Sequence, residues 1–161
     1  MTVAHDVYSE TNPAYGTYAL EAFTTAYLSI NDRGPELALA YLALPLALSG
    51  DLGSTFLSTN RNTGLSVWVE RHPRIQIGLS SRLEATMPIV SDAFRLACFA
   101  HVLNLKEDGR LGRGPAKINK SAAKSLQHDA ANSIKHSERL GYWFAMKGSA
   151  RAVFDVLGVT V

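Results

Sequence analysis

Cysteine is nearly absent from this chain, with one residue, Cys98, among 161. A lone thiol forms no internal disulfide, so the fold must rest on its apolar core, as expected in a reducing compartment. Long hydrophobic runs are missing too. The longest, Leu37 to Leu48, falls short of the roughly 20 residues a bilayer needs, and Pro45 interrupts it. No membrane span is expected. The opening MTVAHDVYSE carries acid early and lacks the basic start and apolar stretch of a secretory signal, which predicts a cytoplasmic protein.

Recognisable catalytic motifs are also wanting. The stretch GRLGRGPAK mixes glycines with bases, but a phosphate-cradling P-loop needs GxxxxGK followed by Ser or Thr. Among the five histidines none stands at ligand spacing: His128 and His136 are eight residues apart, roughly 12 Å along a helix. Surface or cap positions are the plainer expectation for them. Cys98, flanked by Ala97 and Phe99, sits where an apolar setting raises the thiol pKa, and reads as core. Glu107 and Asp108 fall at a predicted turn, and no Ser-His-Asp set stands out. These gaps argue against an enzyme, a cofactor, a metal or a small-molecule substrate.

What is present suffices for a sizeable core: 47% of residues are hydrophobic, and the length suits one domain spanning 1–161. Net charge is only +2, but it is unevenly spread. Residues 1–60 hold one base, Arg33, against six acids, whereas residues 106–139 hold eight bases against four acids. A positive stretch of this kind is a solvated surface in the plain reading and a phosphate-meeting surface in the functional one.

The patterning predicts a mainly α fold. Asn12-Pro13 should start a helix running to about Ile30, with Tyr15, Ala19, Ala22, Phe23, Ala26 and Ile30 on its apolar stripe. PELALAYLALPLAL is apolar all round, hence buried, and its Ala and Leu content favours helix, with Pro45 as a kink or an end. Residues 49–63, rich in Gly, Ser and Thr, read as a mobile polar loop. A short helix over 64–71 precedes His72-Pro73, and another ends near Pro88. Helices over about 120–158 complete the chain, with Gly148 and Gly158 as C-terminal closures and Ser149 as a cap.

Between them, residues 77–114 suggest a helix-turn-helix followed by a short hairpin, a winged-helix-like segment of the sort found in nucleoprotein assemblies. Ser91 can cap the run DAFRLACFAHVL, and Asp108-Gly109 suits a two-residue turn with Leu103, Leu105 and Leu111 on one face. In the functional version Lys106, Arg110 and Arg113 on the wing, and Lys117, Lys120 and Lys124 beyond it, touch phosphates. The helix offers only Asp92, Arg95 and His101 as polar readers, so base-specific recognition is not expected. Protein docking is the other use of such a unit.

Asn12 to Ala14, Leu44-Pro45-Leu46, Trp68 with Pro73, the helix-hairpin piece and LGYWFAMKGS leading to Leu157-Gly158-Val159 together give the chain a likeness. It resembles the middle component of bacterial three-component ABC ATPase systems of the Lamassu type. The resemblance implies a non-enzymatic subunit, with an SMC-like or Rad50-like ABC ATPase and an effector as partners and DNA met through the complex. It implies a role as adaptor in defence against phage or plasmid DNA; the alternative is a stand-alone winged-helix DNA-binding regulator. No catalytic residue is carried over by the resemblance. If Tyr41, Trp68 or Trp143 were exposed, they would be docking anchors; Trp143 is expected in the core.

Overall fold

Asn12 sets the first helix. Its side-chain oxygen accepts from the Ala14 N–H at 3.0 Å, and Pro13 occupies the first turn, where a missing N–H costs nothing. The computed structural model describes residues 12–119 and 128–160, the side chains of 128–130 excepted. Its elements are α1 (Pro13–Leu28), α2 (Leu37–Leu48), a 3-10 stretch (Gly50–Phe56), α3 (Leu65–Arg71), a second 3-10 turn (Pro73–Gln76) and α4 (Leu79–Phe99). Strands β1 (Leu103–Leu105) and β2 (Leu111–Arg113) come next, then α5 (His128–Lys147) and α6 (Ala150–Leu157). The protein is mainly helical with a small two-stranded antiparallel sheet.

Helix α1 is the central post. Tyr15 bonds Ser133 near one end of α5, and Phe23 meets Gly141 and Phe144 further along, so α1 and α5 run side by side in the same direction. Two glycines let the helices approach. A Cβ on Gly141 would stand 2.4 Å from the Phe23 carbonyl oxygen, and one on Gly16 would stand 2.6 Å from the Ala93 Cβ of α4. Thr17 fixes that second crossing by donating to the Ala93 carbonyl at 3.2 Å. The predicted stripe on α1 is half the story: Ala22 is only half-buried and Ile30 lies outside the helix, while Leu20, Thr24 and Tyr27 are buried on another side. Among the described residues one contiguous apolar cluster draws side chains from each of these α-helices and both strands.

The structure decides three points. Helix α2 is a buried helix, as expected, and runs on three residues past Pro45 to Leu48, so the proline does not end it. The expected loop over 49–63 begins with the 3-10 stretch, in which Leu52, Thr55 and Phe56 are buried. Its composition reads as loop because local propensity is weak there, and long-range bonds decide instead. Trp68 donates its indole N–H to Thr55 at 3.1 Å, Trp143 donates to the Asn60 carbonyl at 3.1 Å, and Arg139 donates to Thr59 at 2.9 Å.

The third concerns the helix-turn-helix. No turn separates helices at Pro88–Ser91, because α4 is continuous from Leu79 to Phe99. Proline removes one i to i−4 bond and crowds the carbonyl four residues back, but Glu84 and Pro88 are both exposed, so water can serve that carbonyl. Ser91 caps nothing; its hydroxyl shares a 2.6 Å hydrogen bond with Tyr41 of α2. The helix also stops earlier than Leu103. The Val102 N–H bonds the Ala97 carbonyl at 2.9 Å and the His101 N–H bonds Cys98 at 3.1 Å, a Schellman closure with His101 in the left-handed region at φ +59°. This closure turns the chain into β1.

The hairpin forms, with Leu105 opposite Leu111, but its loop has three residues rather than two. Gly109 donates to Lys106 at 3.0 Å, and Lys106 donates to Arg110 at 2.8 Å. Gly109 alone carries a positive φ, +79°, the geometry of a turn followed by a one-residue bulge. Leu103 and Leu111 are buried, whereas Leu105 is half exposed. At the C-terminus Gly148 and Gly158 are left-handed and Ser149 accepts from Ala152 at 3.2 Å, as expected. Residues 120–127, where the last long helix was expected to begin, lie outside the described residues.

Candidate functional site

The predicted phosphate-touching residues divide into two kinds. Lys106 and Arg110 are tied down. Lys106 donates to the Arg33 carbonyl at 2.6 Å, and Arg110, whose side chain is 14% exposed, donates to the Gly34 carbonyl at 2.8 Å and to Glu36 at 3.2 Å. Backbone bonds from Leu37 to Gly109 and from Leu111 to Pro35 complete a clamp between the 34–37 segment and the hairpin. The acidic N-terminal third thus supplies Glu36 as the partner of a wing arginine. Arg113 and Lys117 are exposed and carry no side-chain bond among the described residues. Lys120 and Lys124 lie outside those residues. Asp92 and Arg95 pair with each other at 3.3 Å on the outer face of α4.

A second feature was not anticipated. A cleft of about 480 Å³ opens between α5, the start of α1 and the 3-10 stretch. Its floor is aromatic: Phe56 stacks on His136 at 4.0 Å with the rings 7° from parallel, and Trp68 and Trp143 lie behind, 5.5 Å apart. Both indoles are fully buried, which removes them as docking anchors, and Trp143 is core as expected. Tyr41, half-buried and bonded to Ser91, is not a free anchor either.

One face of α5 supplies the cleft's polar groups. Asn132, Lys135, His136 and Arg139 recur at three and four residue steps and so project to the same side. Lys135 is exposed, and neither it nor the Asn132 amide has a partner among the described residues. Arg139 uses one Nη for the Phe56 carbonyl and Thr59, leaving the rest of its fork uncommitted among the described residues. The opposite rim carries Leu57, 71% exposed. Among the described residues no carboxylate lines the cleft. Two acids adjoin lining residues in sequence: Glu138 is exposed and accepts from the Tyr142 hydroxyl at 3.3 Å, and Asp51 is bound by both Nη atoms of Arg82 at 2.9 and 2.8 Å, which with the Arg74 cation holds its carboxyl below the usual range.

His136 is neither a surface nor a cap residue. Burial, with help from the Arg139 cation and against a hydrogen bond to the Ala47 backbone, pushes its pKa down to about 4, so at neutral pH it is an uncharged ring. Burial, against a hydrogen bond with Ser133, pushes the Tyr15 hydroxyl up to about 12, so it is uncharged at neutral pH. The charge in the cleft therefore comes from Lys135 and Arg139. Sequence spacing on the last long helix holds the signal, a polar stripe over 132–139, but the composition of the opposite wall is that of a loop.

Among the described residues no three His, Cys, Asp or Glu side chains converge as metal ligands would. Cys98 is half-buried rather than core, and burial raises its thiol pKa. No single described helix is long and apolar enough to cross a membrane; α2 with the 3-10 stretch passes only as a pair bent by 90°. No curated protein and no solved structure matches the chain. A family model does, over residues 2–161, and on that match the chain belongs to the ABC-three component (ABC-3C) system Middle Component 3 family.

Proposed function

We propose that this protein is a non-catalytic adaptor that couples an SMC-like or Rad50-like ABC ATPase to an effector of the nuclease kind in prokaryotic antiviral or anti-plasmid defence. The observation that carries the reading is the family match across 2–161, since a middle component acts with the other components of its system. Surface chemistry supports it. Phe99 at 84% and Ile77 at 77% exposure bracket α4, and large apolar side chains left in water are what a partner surface covers. Coexpression with the other two components is the test. The tagged chain should bring both down in one complex; elution of the chain alone would remove the basis for an adaptor.

Arg113 and Lys117, exposed and without side-chain partners among the described residues, favour a second reading in which DNA is contacted. In it α4 is the helix and β1–β2 the wing of a winged-helix-like unit. Arg113, Lys117, Lys120 and Lys124 would meet phosphates, a sequence-blind and salt-sensitive contact. Lys106 and Arg110 would act in it by holding the wing to the 33–36 segment.

A further inference from the structure

We propose that the cleft between α5 and the 3-10 stretch receives a short acidic and apolar peptide segment of a partner component, its carboxylate on Lys135 and Arg139 and its apolar side chain on Leu57. The proposal rests on the adaptor reading and says where one partner is held.

Charge complementarity is the first argument. Lys135 and Arg139 stand one helical turn apart on the same face, no carboxylate among the described residues lines the cleft, and Asp51 is neutralised by Arg82. An anion entering here meets two cations and an Asn132 amide that has no partner among the described residues, with no acid among the described lining residues to repel it. A guanidinium with an uncommitted edge suits a carboxylate, and acidic motifs are commonly read by such basic clusters.

Leu57 is the second. It stands 71% exposed on the rim while its neighbour Phe56 is 3% exposed, so an apolar side chain in water faces the cleft from the rim opposite the cationic wall. A ligand that is charged but not apolar would leave Leu57 uncovered.

The third argument separates a peptide from a nucleotide of similar size. Base binding at single residues relies on an open aromatic face. Phe56 already stacks on His136 and is buried, Trp68 and Trp143 are fully buried, and Tyr15 is 6% exposed. The cleft offers cations without a stacking platform.

The test uses the assembled system. The chain is coexpressed with its two partner components as wild type, Lys135→Ala, Lys135→Glu with Leu57→Asp, and Arg151→Glu as a charge control on the exposed face of α6, outside the cleft lining. Thermal melts check that each is folded; both cleft residues are exposed, and Lys135→Ala is the mildest change. The double variant should lose affinity for one partner by about tenfold or more, and Lys135→Ala by less in the same direction, with weaker wild-type binding at high salt. Arg151→Glu should leave that affinity unchanged. If the folded cleft variants bind both partners as wild type does, the cleft proposal falls and the adaptor reading stands. If wild type binds neither partner, both fall. In a parallel arm, ATP or inorganic phosphate that raises the wild-type melting temperature but not that of Lys135→Ala would assign the cleft to a free phosphate compound and overturn the peptide proposal.

Discussion

Replacing Gly141 by alanine sets two effects of opposite sign against each other. On an isolated helix the change should help by about 1 kcal/mol, because glycine has the larger backbone entropy to lose. Here the added Cβ stands 2.4 Å from the Phe23 carbonyl oxygen and 2.9 Å from the Ala26 Cβ. The first of these is a backbone atom, so no rotamer change relieves it. Restoring ordinary contact requires α1 and α5 to separate by about 1 Å, a gap that forfeits a quarter to a half of the dispersion attraction along the seam. Phe23 and Phe144, edge to face at 5.7 Å, lie in that seam. Overpacking of this kind costs typically about 1–3 kcal/mol, and more when backbone must move. Clash should therefore outweigh propensity, leaving Gly141→Ala less stable by roughly 2 kcal/mol, or about 4–8 °C in Tm for a domain of this size. Calorimetry or circular-dichroism melts read it directly. Gly53→Ala is the comparison, since a Cβ there meets nothing within 4 Å, and should change little. A Gly141→Ala protein as stable as wild type would refute the close helix crossing.

Three further expectations are independent of that seam. His136 is held neutral in the fold, with a pKa of about 4 against 6.5 when free, so the unfolded chain binds the extra proton between these values. Its contribution is present above pH 6.5 and is lost as pH falls toward 4, on the order of 2 kcal/mol across the window once solvent screening of the half-buried ring is allowed for; His136→Phe, which keeps the stack on Phe56, should flatten the pH dependence of denaturant midpoints there. His101 holds a left-handed conformation at the α4 closure, so His101→Gly should stabilise by up to about 1 kcal/mol, and a lowered Tm would count against that closure. Arg110→Ala should cost about 2 kcal/mol of stability by stranding Glu36 and the Gly34 carbonyl, whereas Arg113→Glu with Lys117→Glu should spare Tm and weaken nonspecific duplex binding with a flatter salt dependence. Binding titrations at two salt concentrations separate the pair, and unchanged DNA affinity in the second would clear the hairpin's basic end.

Chain punctuation was legible in the sequence because it is chemistry of one or two residues. Asn12-Pro13, Ser149, Gly148 and Gly158 act where their backbone needs place them. Trp143 is in the core, as the sequence reading expects. Pro88 misled, since a proline ends a helix only when the carbonyl it displaces has no other donor, and exposure of that turn is a tertiary property. The 49–63 segment misled for the related reason that Thr55, Thr59 and Asn60 are fixed by Trp68, Arg139 and Trp143, each at least a dozen residues away. Arg110 looked like a free wing cation because its partners at 34–36 are more than seventy residues upstream. The cleft escaped notice because one wall was a helix face and the other a supposed loop. Its cations were in view, but the missing carboxylates become meaningful only once the walls are joined.

Mass measurement of the reconstituted system, with and without this chain, tests the central claim most directly. An adaptor predicts that the other two components form one particle only when this subunit is present, and that any nucleotide or nucleic-acid turnover belongs to them. Stable association of those two in its absence, or turnover by the purified chain on its own, would contradict the account.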